Sequence, residues 1–205
     1  MSVETLIVQG LEHFALFYTP AAVEKLSFFV YELERWNRRF NLTAKRQVEG
    51  VIQELLYDAF FLFTMVKGTA SALDMCSGSG ILAIPLAILD QTMQLFSVDK
   101  TLKKIQFQRH IKRGLALGNV SIIHGRIENL EPLAVDTLVT KGFGSTGVIL
   151  QKGGRHLKDS GEAYLLKGRT EKAGAYPGFL LERMKQYRLP RSPKEYQLFV
   201  YKKVS

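Results

Sequence analysis

The hydrophobic rhythm of the chain changes once, near residue 70. Before that point apolar positions recur every three or four residues. Leu26, Phe29, Val30, Leu33, Trp36 and Phe40 fall on one face of a helix starting at Thr19-Pro20, the hydroxyl as N-cap and proline in the first turn. Asn41-Leu42-Thr43 breaks the pattern, and a second helix is predicted over 48–66, ending at Lys67-Gly68. Its greasiest part, Leu55 to Val66, is too short to span a bilayer and contains Asp58, so it reads as a core helix. Beyond Ser71 short apolar runs alternate with helical ones. The predicted strands are 71–76, 94–98, 120–124, 136–140, 162–167 and 196–202, with predicted helices at 81–90, 101–117, 146–157 and 177–187. Such alternation implies an α/β fold, a mostly parallel sheet with helices on both faces. The final run follows Pro190 and Pro193 with no helix after it, which suits an antiparallel last strand. The expected division is an N-terminal helical subdomain over 1–66 and a Rossmann-like domain over 67–205.

The first strand of that domain runs into Asp74-Met75-Cys76-Ser77-Gly78-Ser79-Gly80, and the second ends at Asp99. Strand, glycine loop, helix, strand and acidic tip form the first half of a nucleotide-binding unit. Glycine lets the backbone approach a ligand and adopt positive φ, and Asp99 stands where a carboxylate takes the hydroxyls of a ribose. Spacing leaves two cofactors open. Gly78-x-Gly80-x-x-Ala83 fits a dinucleotide loop; Asp74-x-Cys76-x-Gly78-x-Gly80 fits an S-adenosylmethionine loop, with Cys76 where the first glycine usually stands. The charge of Asp74 favours the second. It faces the place where a dinucleotide puts its pyrophosphate, whereas a sulfonium and an ammonium are attracted to a carboxylate.

Composition narrows the setting. A hydrophobic share of 46% with 23% charged residues belongs to a globular chain long enough for a full core. The single cysteine, Cys76, excludes an internal disulfide framework and suits a cytoplasmic location, and Met1 to Gly10 lacks the zones of a signal peptide. Neither membrane insertion nor a metal is expected, because His13, His110, His124 and His156 show no ligand spacing. Net charge is +9, but residues 1–34 carry −4, so the remainder carries +13. Basic residues cluster at Arg35, Arg38, Arg39, Lys45 and Arg46, and again from Lys100 to Arg113. That surplus points to a polyanion, in a cytoplasmic protein most often RNA or DNA.

Several stretches together resemble one family. The alternation, the Asp74–Gly80 loop and Asp99 are similar to class I S-adenosylmethionine-dependent methyltransferases. Within that class Trp36-Asn37-Arg38-Arg39-Phe40-Asn41-Leu42-Thr43, Ile84-Pro85-Leu86, Gly125-Arg126-Ile127-Glu128, Val139-Thr140-Lys141-Gly142-Phe143 and Leu166-Lys167-Gly168 resemble the GidB-type (RsmG) methyltransferases of small-subunit ribosomal RNA, which make 7-methylguanosine. The resemblance implies S-adenosylmethionine as cofactor, held by Asp74, Cys76, Gly78, Gly80 and Asp99, with the backbone at Ile127 and Glu128 flanking the adenine. It implies ribosomal RNA or the small ribosomal subunit as partner, and a monomer is expected. Asn41 and Lys141 become the candidate catalytic residues; Arg35, Arg38, Arg39, Arg46 and Lys141 become candidate RNA contacts. A guanine ring nitrogen already has a free lone pair, so no strong base is required. Lys141 is placed to donate to the guanine carbonyl or a phosphate, and Phe143 to stack on the base. The family usually has glycine at Cys76, Pro-Gly at Leu82-Ala83, Arg-His at Gln53-Glu54 and arginine at Lys141. Two rivals follow: a non-catalytic or re-targeted RNA-binding relative and, on the loop alone, an NAD-type oxidoreductase.

Overall fold

The change of rhythm marks the passage from helical segments to one sheet. The structure, a computed structural model, describes residues 1–204. Four helices come first: α1 (Val3–His13), α2 (Pro20–Phe40), α3 (Val48–Val51) and α4 (Tyr57–Val66). Then follow β1 (Ser71–Met75), α5 (Ala83–Leu89), β2 (Gln94–Asp99), α6 (Leu102–Gly114), β3 (Val120–His124), β4 (Val135–Lys141), α7 (Thr146–Gly153), β5 (Leu157–Gly168), β6 (Phe179–Arg188) and β7 (Glu195–Lys203). The seven strands form one sheet in the order β3-β2-β1-β4-β5-β7-β6. The first five are parallel neighbours, whereas β7 runs antiparallel between β5 and β6. Strand order reverses at β1, whose neighbours are β2 and β4, and crevices open at such switch points beyond the strand carboxyl ends.

Helix α2 begins as its sequence dictates. Thr19 Oγ1 accepts the Ala22 amide at 3.2 Å, and the helix ends on Asn41 in the left-handed region at φ 48°. Leu26, Phe29, Val30 and Leu33 are fully buried, as the periodicity requires, but Phe40 is 42% exposed and lies outside the core. One apolar cluster joins α1, α2 and α4 to Val139, Tyr164 and Val200 of the sheet, so these helices share their core with it. The opposite face buries Leu138, Ile149, Leu165 and Tyr201.

Two sequence expectations change and one helix is added. The predicted helix over 177–187 is the strand β6, paired with β7 from Phe179↔Lys203 to Arg188↔Glu195. Its apolar residues fit a helical period, but Leu180, Leu181 and Met184 stay exposed and only Tyr187 is buried. With nothing for a helical stripe to cover, pairing with β7 decides the conformation. The helix predicted over 48–66 is interrupted by a π turn at Ile52–Leu56. Helix α1, which the sequence reading left unassigned, buries Leu6, Ile7 and Leu11.

Candidate active site

Two cavities open side by side at the carboxyl ends of the strands, with Gly142 and Phe143 lining both. The first, about 250 Å³, lies over β1, β2 and β3; Cys76, Asp99, Lys104, Ile127, Glu128 and Lys152 are among its walls.

Of the glycine loop, Cys76 lines this cavity, whereas Gly78 and Gly80 are not among its walls. Cys76, Gly78 and Gly80 all take positive φ, at 58°, 60° and 75°. A Cβ on Gly80 would lie 2.9 Å from Ile84 Cγ1 and 3.1 Å from the Gln108 side chain, so only glycine fits there. Asp99 organises the loop from β2: its Oδ2 accepts the Gly78 amide at 2.9 Å and its Oδ1 the Thr101 amide at 2.7 Å. Gln108, fully buried on α6, donates to Ser77 Oγ (2.9 Å) and to the Gly78 carbonyl (2.8 Å), and accepts from Ser97 Oγ.

Asp74 lies beneath this loop and not in the cavity wall. It is almost fully buried and accepts the Ala83 amide at 3.1 Å. Burial pushes its carboxyl up to about 7, the charge of Asp99 adding to the rise and the Ala83 amide opposing it. Burial also pushes the Cys76 thiol up to about 11, with Asp99 and Asp74 contributing, so this cysteine is no nucleophile. These two buried carboxylates favour a cationic ligand and oppose a diphosphate. The donor set therefore fits S-adenosylmethionine better than a dinucleotide.

The far wall is a single turn of 3₁₀ helix, Ile127–Asn129. Glu128 pairs with Lys152 at 3.1 Å and, more loosely, with Arg126 at 3.9 Å. His156 is buried behind the turn; its Nε2 faces the Ile127 carbonyl at 3.1 Å, and its Nδ1 accepts the Leu133 amide at 3.3 Å. That pairing needs the neutral ring with the proton on Nε2, and burial holds its pKa below the ordinary histidine value.

The second cavity, about 290 Å³, is lined by Asp58, Lys141, Phe143, Lys167, Glu171, Tyr187 and Tyr196 among others. Here Lys141 is no solvated loop lysine. Its Nζ pairs with Asp58 Oδ2 at 2.5 Å and donates to the Glu54 carbonyl at 2.9 Å. An ammonium has three donors, so one remains for the cavity. Asp58 is fully buried, and its other oxygen accepts the Tyr187 hydroxyl at 2.7 Å. Tyr187 stacks on Phe61 with centroids 3.8 Å apart and on Tyr196 at 5.5 Å. Burial, then the charge of Asp58, pushes its phenol well above the ordinary value.

The π turn puts Glu54 at the junction. Its carboxylate pairs with Lys45 at 2.5 Å and Lys194 at 3.0 Å, while its carbonyl meets Lys141. The Lys45 and Lys194 hydrogen bonds hold this carboxyl below its ordinary value. Glutamate at this position is thus matched by two lysines.

Other predicted residues stand apart from both cavities. Asn41 is exposed and lines neither; it ends α2, while the buried neighbour Asn37 clamps the turn by donating to the Lys45 carbonyl (2.8 Å) and accepting the Thr43 amide (2.9 Å). Arg35, Arg38 and Arg39 line a surface groove with Trp36 and Phe40. Arg35 is paired with Glu32 and Arg38 with Glu34, but no acidic partner falls to Arg39 or Arg46 among the described residues. Arg46 lies in a separate shallow depression beside Lys45. Sequence reasoning missed Gln108, Glu171, Tyr187 and Tyr196; it named Asn37 only within a family motif, His156 only as a histidine without ligand spacing, and Asp58 only as a charge within a core helix. Asp58 alone carried a signal, a carboxylate in an otherwise apolar helix. Among the described residues no helix is long and apolar enough to cross a membrane, and no three His, Cys, Asp or Glu side chains gather as a metal site.

Comparison with known proteins bears on this arrangement. The family model GidB, described as rRNA small subunit methyltransferase G, matches residues 22–178. A Ribosomal RNA small subunit methyltransferase G from Bordetella petrii is 32% identical over 168 residues, covering 79% of this chain and 66% of that protein. Its counterpart from Geotalea uraniireducens is 32% identical over 217 residues, covering 98% and 96%. Among solved structures, TrmN from Thermus thermophilus superposes with a TM-score of 0.60 at 20% identity, over 82% of this chain and 53% of that one. A SAM dependent methyltransferase from Aquifex aeolicus gives 0.57 at 14% identity, over 76% and 93%. The structural likenesses carry the fold, and the sequence matches carry the kinship: the chain belongs to the GidB family, the rRNA small subunit methyltransferase G proteins.

Proposed function

We propose that this protein is an S-adenosylmethionine-dependent methyltransferase of small-subunit ribosomal RNA, acting on N7 of a guanine. The observation that carries the reading is the common wall of the two cavities at Gly142 and Phe143. Methyl transfer is an in-line displacement that needs donor and acceptor close and aligned, and adjoining cavities meet that need. The cofactor, when bound, supplies the electrophilic methyl group.

The chain's own residues then divide the work. Asp99 takes the ribose, Gly78 and Gly80 let the backbone approach, and Cys76, Ile127 and Glu128 form the walls. Asp74 acts from below as a counter-charge. Lys141 offers its third donor to the guanine carbonyl, and Phe143, which lines both cavities, stacks on the base. Asn41 acts at a distance, by ending α2 so that Lys45 reaches Glu54. Arg39 and Arg46, with the exposed Arg35 and Arg38 exchanging their half-buried glutamate partners, contact phosphates; pairs with so exposed an arginine contribute little and are readily given up. The reading places a monomer in the cytoplasm, where ribosomal subunits are found.

Calorimetry with S-adenosylmethionine and with NADH tests the cofactor, and binding of NADH alone would overturn the reading. Labelled-methyl transfer to small-subunit RNA and to intact subunits tests the reaction. Tight cofactor binding with no incorporation into either would favour a non-catalytic RNA-binding relative. RNA affinity should fall steeply with added salt, by counterion release.

A further inference from the structure

The second cavity holds one acidic side chain whose role the fold does not exhaust. Glu171 lies beyond the end of β5, on a segment tied down by Gln197, whose Nε2 donates to the carbonyls of Gly168, Arg169 and Glu171. One carboxylate oxygen, Oε1, is fully engaged. It accepts from the Thr146 amide at 2.9 Å, from Thr146 Oγ1 at 2.7 Å and from Lys167 Nζ at 3.0 Å. The other, Oε2, has no protein partner among the described residues, although Glu171 lines the cavity. Burial opposes its ionisation, but the Thr146 and Lys167 hydrogen bonds outweigh this and hold the carboxyl below its ordinary value. The cavity thus presents a fixed, ionised acceptor.

Lys141 presents the opposite charge in the same cavity, with one of its three donors uncommitted. A carboxylate acceptor and an ammonium donor make a selective pair for a purine. Guanine carries an acceptor, O6, next to two donors, N1–H and the N2 amine. Adenine reverses the pattern, with a donating N6 amine beside an accepting N1. In this cavity adenine would set its amine against an ammonium and its N1 lone pair against a carboxylate. Tyr196, at the end of the Phe61–Tyr187–Tyr196 column, supplies an aromatic wall, the usual companion of edge recognition in pockets for extruded bases.

We infer that Glu171 is the specificity-determining residue of the base pocket, its free Oε2 accepting from N1–H and the neighbouring N2 amine of guanine while Lys141 donates to O6. This rests on the methyltransferase reading of the neighbouring cavity. It adds the residue that tells guanine from adenine.

The test is saturation-transfer NMR with GMP, IMP and AMP on the full chain, wild type and Glu171→Gln. The three nucleotides share ribose and phosphate, so any contribution of the basic surface cancels. IMP lacks only the N2 amine. In the wild type GMP should bind roughly tenfold more tightly than IMP or AMP, about the loss expected when a hydrogen bond to a charged acceptor is removed. In Glu171→Gln the preference should collapse to within about twofold. Because Glu171 also holds Thr146 at the start of α7, cofactor affinity and thermal melting are read on the same samples. A general loosening would lower all three nucleotide affinities together and leave their ratio intact. Equal binding of GMP and AMP by the wild type, or a preference that survives Glu171→Gln, would overturn the inference. Failure of the broader reading shows differently, as a guanine preference without methyl transfer from the wild type to ribosomal RNA.

Discussion

The two cavities share a wall, yet they are built in opposite ways. The one over β1, β2 and β3 is framed by backbone: three positive-φ residues within five positions, and two loop amides received by Asp99. The one over β4, β5 and β7 is framed by side chains from distant parts of the chain, Asp58 from α4, Lys141 from β4, Tyr187 from β6 and Tyr196 from β7. Backbone frames are written in short motifs and tolerate changes in side chain; Cys76 at a usual glycine position is one. Charge-pair frames tolerate little. Removing one partner of a buried pair leaves the other charge without compensation.

The largest effect should therefore come from the second cavity. Asp58→Ala strands Lys141 and the Tyr187 hydroxyl, and urea unfolding should show a loss of about 3 kcal/mol. The double variant Asp58→Leu, Lys141→Met should recover much of that stability while remaining inactive. If the double variant is as unstable as the single, the pair is not the cause.

Asp99→Ala tests the first cavity. With its two amide contacts and ribose contact gone, cofactor affinity should drop by about 2 kcal/mol, roughly thirtyfold, in calorimetry. Stability should change less than for Asp58→Ala. The reverse ranking would erase the contrast between the two frames.

Asp74 gives a pH signature. Burial pushes its folded carboxyl up to about 7, well above the ordinary aspartate value of about 3.9. Between about pH 4 and pH 7 the unfolded chain has lost this proton while the folded chain retains it. The contribution of Asp74 to stability is therefore present at acid pH and fades as pH rises through 7. A cationic ligand favours the ionised form, so binding S-adenosylmethionine should release a proton and tighten from pH 6 to pH 8. Calorimetry in buffers of differing ionisation enthalpy measures that proton. In Asp74→Asn the release should vanish; if it persists, the proton comes from elsewhere.

The smallest effect is expected at Cys76. Its left-handed backbone is strained for any side chain, at φ 58°. Cys76→Gly should raise stability by at most about 1 kcal/mol, since relief of strain is partly offset by the greater freedom of glycine in the unfolded chain. A shift in the urea midpoint checks it. Clear destabilisation would show that the thiol packs more than it strains.

Legibility followed the same division. Helix α2, the glycine loop and the five parallel strands could be read because their signals are local: a cap, a period, small residues at fixed spacing. Strand β6 could not. Leu180, Met184 and Tyr187 carry a helical period, and only the open edge of β7 makes them extended. The π turn at Ile52–Leu56 escaped for a related reason, since its consequence is a carbonyl offered to Lys141, 87 residues downstream. Departures at Glu54 and Lys141 looked like losses in sequence. In the structure each has a partner, Lys45 and Lys194 for one and Asp58 for the other.

By itself, then, the sequence determined the α/β alternation, the acidic loop with its preference for a cation, and the kinship to one methyltransferase family. Each rests on neighbours within a few residues or on composition. Tertiary structure alone decided which charges meet. Asp58 and Tyr187 are 129 positions apart, and Glu171 faces the same cavity as Lys141 only because β4 and β5 are adjacent in the sheet. Ion pairs and stacked rings act over a few ångströms, and the distance along the chain between such partners carries no signal until the sheet has brought them together.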